Sequence, residues 1–138
     1  MMSATGTYLG FDAGEKRLGV AVGETVTGHA RALAVITCRQ GTPDWSRLQG
    51  LIDDWGPEGL IVGIPRHADG RDSHSTRLAE RFAGELARRS GGSVHRIDEH
   101  LSSHAARDAV RGRGQRPEVI DAEAARIILE TWLSEHFP

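Results

Sequence analysis

Cysteine is nearly absent from this chain. Cys38 is the single one in 138 residues, so no disulfide can form within the chain, and a reducing, cytoplasmic setting is the simplest expectation. Long apolar runs are absent as well, which excludes a membrane-spanning helix. Met1-Met2-Ser3-Ala4-Thr5-Gly6 has no basic region followed by an apolar stretch, so no signal peptide is expected. Neither sign of charge is in excess. A formal net charge of −2 excludes the strong overall basic field that coats nucleic acid non-specifically, but leaves room for a local basic groove. Lysine is the scarcest cation: of 17 basic residues only Lys16 is lysine. Arginine suits bidentate phosphate contact, although codon bias in a GC-rich genome is the main cause expected for the excess. There is no internal repeat, low-complexity tract or linker, and the length fits one domain over residues 1–138.

What is present is an alternation of short apolar segments and amphipathic helices. Gly10 to Val22 reads as a β-hairpin with the Asp12 carboxylate at its mouth and Lys16 and Arg17 in its turn. Thr7–Phe11, Leu18–Val22 and Arg31–Thr37 are the first three strands. Pro43 is expected at the first position of a helix whose apolar face is Trp45, Leu48, Leu51, Ile52 and Trp55, stopped by Gly56-Pro57. Leu60–Ile64 is wholly apolar and reads as a central strand buried on both faces. A loop follows from Pro65 to Gly70. A helix runs from about Ser73 to Arg89 and ends at Gly91-Gly92, and Val94–Ile97 is the fifth strand. Ser102 or Ser103 caps a short helix, Arg111 to Arg116 is a flexible basic loop, and Pro117 opens the last helix. The order β-β-β-α-β-α-β-α-α predicts an α/β fold, a mixed five-stranded sheet flanked by helices.

Three carboxylate positions lie where such a sheet gathers ligands, beyond the carboxyl ends of its strands. Asp12 ends the first strand, Asp98 and Glu99 end the fifth, and Asp121 lies early on the sheet-facing side of the last helix. Converged carboxylates repel one another unless cations sit between them. Two divalent ions would supply that charge and would stabilise both the attacking water and the leaving oxygen of phosphodiester hydrolysis. Lys16, Arg17, Arg66, His67 and the Arg111–Arg116 loop lie near the same edge and can hold phosphates. Arg77, Arg81 and Arg88 share a helix face and read as a solvated stripe. His95 and His104 read as structural or exposed.

These residues resemble the YqgF/RuvX family of small bacterial proteins, described as Holliday junction resolvases and related to RuvC. Gly10 to Ala21 is similar to the family's opening Gly-x-Asp-x-Gly-x-Lys-Arg-Ile-Gly-Val-Ala motif. Val62 to Gly70 is similar to its Val-Gly-Leu-Pro-x-x-x-Asp-Gly loop, and Ile97 to Ser103 to its Val-Asp-Glu-Arg-Leu-Thr-Ser motif. Ile120 to Leu129 is similar to its Val-Asp-x-x-Ala-Ala-x-x-Ile-Leu helix. The resemblance covers nearly the whole chain. It implies an RNase H-like fold and a hydrolase, a nuclease tied to maturation of the 5′ end of the 16S ribosomal RNA precursor.

It also implies that Asp12, Glu99 and Asp121 are the catalytic carboxylates, the same three to which their spacing points; on that ground they would hold Mg²⁺ or Mn²⁺, with Asp98 in support. Lys16, Arg17, Arg66, Ser102, Arg113 and Arg116 would contact the nucleic acid. The expected partner is structured RNA or branched DNA and not a membrane, and the expected state is a monomer or weak homodimer. Four positions depart from the pattern. His100 replaces an arginine and is a weaker phosphate clamp. Ser102 replaces a threonine and keeps the hydroxyl. Arg113 and Arg116 stand in a loop that usually carries lysine. Three rival readings follow: a junction-resolving DNA endonuclease, a non-catalytic ribosome-assembly module suggested by His100 and the acidic pI, and an actin-like or sugar-kinase-like ATPase. The last also opens on Asp-x-Gly, but this chain is too short for its two lobes.

Overall fold

Alternation along the first strand divides the molecule into two sides. In β1 (Thr7–Ala13), Leu9, Phe11 and Ala13 face one way, and Tyr8, Gly10 and Asp12 the other. The computed structural model describes residues 6–65, 73–99 and 116–138. Within them β2 (Arg17–Glu24) folds back antiparallel on β1, from Thr7↔Glu24 to Ala13↔Leu18. β3 (Ala30–Arg39) continues the meander, with a register irregularity between Val20 and Ala21. Next come β4 (Thr42–Pro43), α1 (Trp45–Trp55), β5 (Gly59–Ile64), α2 (His74–Ser90), β6 (Val94–Asp98) and α3 (Pro117–His136). The sheet order is β4-β3-β2-β1-β5-β6. β5 runs parallel to both β1 and β6, so the carboxyl ends of these three strands share one edge.

The expected mixed sheet with helices on both sides is found, and Leu60–Ile64 is buried on both faces as expected, in an interior strand that lies second from the β6 edge rather than at the centre. Leu9, Phe11, Val20, Leu60 and Val62 pack with Leu48 of α1 and with Phe82 and Leu86 of α2. On the other side Tyr8, Ala21 and Ile61 pack with Ala125, Ile128, Leu129, Trp132 and Leu133 of α3.

Two expectations are corrected. The sheet has six strands rather than five, because Thr42–Pro43 pairs with Cys38–Arg39 as a two-residue edge strand. Pro43 therefore lies in β4 and does not open α1. Asp44 caps α1 instead, its carboxylate accepting from the Arg47 N–H at 3.3 Å. The other helix boundaries follow the sequence. Gly56 and Gly91 end α1 and α2 in the left-handed conformation, Ser73 and Thr76 form a reciprocal cap on α2, and Pro117 opens α3. The short helix expected after Ser102 or Ser103, and the loop residues 66–70 and 111–115, lie outside the described residues.

α3 rests directly on sheet backbone. A Cβ placed on Gly19 would come within 2.1 Å of the Asp121 carbonyl oxygen, and one on Gly63 within 2.5 Å of Ile128 Cδ1. At position 63 the neighbour is the tip of the Ile128 side chain; glycine is required at position 19, where the neighbour is helix backbone. This contact sets the position of Asp121 over the sheet.

Candidate active site

The site is built around Gly63. One residue past the Phe11↔Val62 pair of β1 and β5, Asp12 stands beside Gly63 on the α3 face. Asp12 also lies directly across the ladder from Gly19, the residue under Asp121. Glu99 follows β6 on the far side of β5, and its Cγ lies 3.3 Å from where a Gly63 Cβ would be. Asp12 and Glu99 therefore flank the same backbone position, on the same face, at the shared carboxyl edge. Both are buried, with relative exposures of 6% and 3%. Burial of two carboxylates on one small patch raises the cost of their charge, which a cation between them would offset.

Asp121 is placed near this pair but turned to a different partner. Arg17 lies two residues before Gly19 on β2 and so rises on the same face. Its Nε donates to Asp121 Oδ2 at 2.6 Å, and the two side chains are 32% and 25% exposed. The hydrogen bond to Asp121 is the largest cause raising the Arg17 pKa above its ordinary value. Sequence reasoning assigned these residues to separate tasks, a metal ligand and a phosphate contact. No local pattern links positions 104 apart in the chain.

Other expected residues divide by location. Lys16 is exposed in the β1–β2 turn. Cys38 N–H donates to the Lys16 carbonyl at 2.8 Å and Gly41 N–H to the Glu15 carbonyl at 2.9 Å, which fixes the backbone of that turn. Arg116 is exposed at the cap of α3, and Asp98 is exposed at the end of β6. Arg66, His67, His100, Ser102, His104, Arg111 and Arg113 lie outside the described residues. Two contacts had no signal in the sequence. His74, the first residue of α2, meets Glu15 of the turn, and Thr76 donates to the Pro65 carbonyl. Both tie the start of α2 to the edge that carries Asp12.

The donor set suits a hard divalent cation, since it consists of carboxylate oxygens alone. Asp12 and Glu99 provide two buried carboxylates on either side of Gly63, and Asp121 is the third, one strand over. Among the described residues no group of three His, Cys, Asp or Glu side chains is gathered to hold a metal ion, and the Asp121 carboxylate is engaged by Arg17.

Comparison with known proteins gives the family and the fold. The family model of RuvX, described as a Holliday junction resolvase, matches residues 6–135. A protein of Azotobacter vinelandii named "Putative pre-16S rRNA nuclease" is 43% identical over 138 residues, covering 97% of each chain. A protein of the same name from Pseudomonas aeruginosa is 42% identical over 132 residues, covering 93% of this chain and 92% of its own. Among solved structures, Thermus thermophilus RuvC in complex with a Holliday junction substrate superposes with a TM-score of 0.55 at 19% identity, covering 94% of both chains. The fowlpox virus Holliday junction resolvase gives a TM-score of 0.57 at 13% identity, covering 94% of this chain and 99% of its own. The fold is thus RuvC-like, of the RNase H type, and the chain belongs to the RuvX family.

Proposed function

We propose that this protein is a metal-dependent nuclease that cuts phosphodiester bonds in structured nucleic acid, with the precursor of 16S ribosomal RNA as its substrate. The observation that carries this reading is the placement of buried Asp12 and Glu99 on either side of Gly63, at the edge where β1, β5 and β6 end together. The names of the relatives at 42–43% identity support the choice of RNA. Asp12 and Glu99 would hold Mg²⁺ or Mn²⁺, and Asp121 would complete the set. A cation held there supplies positive charge to the attacking water and to the leaving oxygen. Lys16, Arg17 and Arg116, together with Arg66, Ser102 and Arg113, would hold the phosphate backbone, and Asp98 would support the ligands.

A second substrate class is favoured by the family description as a Holliday junction resolvase. One experiment addresses both. Wild type and Asp12→Asn are incubated with precursor ribosomal RNA and with a four-way DNA junction, each with Mg²⁺ or Mn²⁺. The expected result is metal-dependent cleavage of the RNA by wild type and its loss in Asp12→Asn, with the fold retained by circular dichroism. Cleavage of the junction alone would move the activity to DNA. Equal cleavage by wild type and Asp12→Asn would remove Asp12 from the chemistry.

A further inference from the structure

The sequence pattern suits Arg17 to a phosphate and Asp121 to a metal ion, yet the structure joins them. The geometry around Gly19 explains why both assignments can hold in turn. The main chain of Asp121 is seated on Gly19 with no room to shift toward the sheet. Arg17 lies along β2 on one side of that seat. Asp12 lies across the ladder on the other, roughly 5 Å away Cα to Cα in an antiparallel pair. The Asp121 main chain thus sits over Gly19, which pairs with Asp12 across the ladder and lies two positions from Arg17 along β2. The two side chains are 32% and 25% exposed, so rupture of the pair does not strand a fully buried charge.

We propose that Arg17 and a divalent cation compete for the Asp121 carboxylate, so that filling the acidic site releases the Arg17 guanidinium to a substrate phosphate. This rests on the reading of the site as a cation-dependent nuclease centre. Before the cation arrives, Arg17 neutralises the third carboxylate and limits the repulsion among three like charges at one edge. Once Asp121 turns to the cation, Arg17 loses its carboxylate and stands at the same edge with a bidentate donor to offer. In this scheme Arg17 makes cation binding and nucleic-acid binding favour each other. Such a coupling is reciprocal.

The test measures Mn²⁺ binding without substrate, by the loss of the free-Mn²⁺ paramagnetic resonance signal. Wild type, Arg17→Gln, Arg17→Ala, Asp121→Asn, Asp12→Asn and the Arg17→Gln/Asp121→Asn double variant are compared. Removing a partly exposed competitor is expected to tighten Mn²⁺ by roughly two- to fivefold in both Arg17 variants, about the range set by the strength of solvent-accessible ion pairs. Asp121→Asn weakens Mn²⁺, and Arg17→Gln has no further effect on top of it. In a second measurement, Mn²⁺ tightens wild-type binding of a phosphorothioate-blocked RNA hairpin, and this gain is smaller in Arg17→Gln.

Unchanged or weaker Mn²⁺ binding in the folded Arg17 variants, with Asp12→Asn still weakened, overturns the competition and leaves the nuclease site standing. An undiminished gain in hairpin affinity in Arg17→Gln overturns the release of Arg17 to phosphate. Equal Mn²⁺ affinity in wild type and Asp12→Asn removes the cation site and the competition together.

Discussion

At the scale of the residue, the sole thiol illustrates how placement overrides ordinary reactivity. Cys38 is half-buried on β3, and its pKa is pushed up to about 11 by burial first and by the Asp121 charge second. The thiolate is the nucleophile, so alkylation of the native protein near neutral pH should be slow. Its rate should climb with an inflection near pH 11, above the ordinary thiol value of 9.0 that the unfolded chain would show. The same shift carries a sign for stability. The neutral thiol is favoured by the fold, so its contribution is fully present below about pH 9 and is lost as pH rises toward about 11. Iodoacetamide labelling of native and urea-unfolded protein across this range checks both statements. A native inflection near that of the unfolded chain would contradict them. Asp121→Asn should lower the native inflection, since it removes the second cause.

At the scale of the element, α3 and its glycine seat decide the site. Gly19→Ala would place a methyl group against the Asp121 carbonyl, a backbone atom that can yield only if the helix moves. The expected cost is about 1–3 kcal/mol in urea unfolding, and cleavage should fall because Asp121 is carried away with the helix. A contrasting change is Asp44→Ala at the cap of α1, which should cost about 1 kcal/mol and leave cleavage at the wild-type level, since α1 packs on the opposite side of the sheet. The elements differ in how far the sequence announces them. Leu60–Ile64 is legible because burial on both faces demands an unbroken apolar run, and α3 because Pro117 marks its start. Thr42–Pro43 is not, since two residues carry no period, and a proline before a helix fits an edge strand as well as a first helical turn. Within the site, the placement of Asp12 and Glu99 at one edge follows from strand ends and parallel pairing. The floor provided by Gly63 and the Arg17–Asp121 pair depend on how α3 and β6 dock, and no local spacing encodes that.

At the scale of the whole molecule, the question is how a chain of net charge −2 holds a polyanion. No overall basic field is available, so affinity must come from the few cations placed at the active edge. That bounds its salt dependence. The proposed backbone contacts include five cations: Lys16, Arg17, Arg66, Arg113 and Arg116. Each neutralised phosphate on a duplex contributes about 0.9 to the slope of log affinity against log salt, so the slope should be no steeper than about −4.5. A fluorescence-anisotropy titration of a labelled RNA hairpin with Asp12→Asn, in which cleavage is absent, measures it across 50 to 200 mM salt, about the range over which counterion release is resolved. The double variant Lys16→Gln/Arg116→Gln should lower the magnitude of the slope by about 1.8 if both side chains meet phosphates. A slope much steeper than the bound would mean that cations away from this edge carry the substrate, with the Arg77, Arg81 and Arg88 stripe of α2 the first place to look.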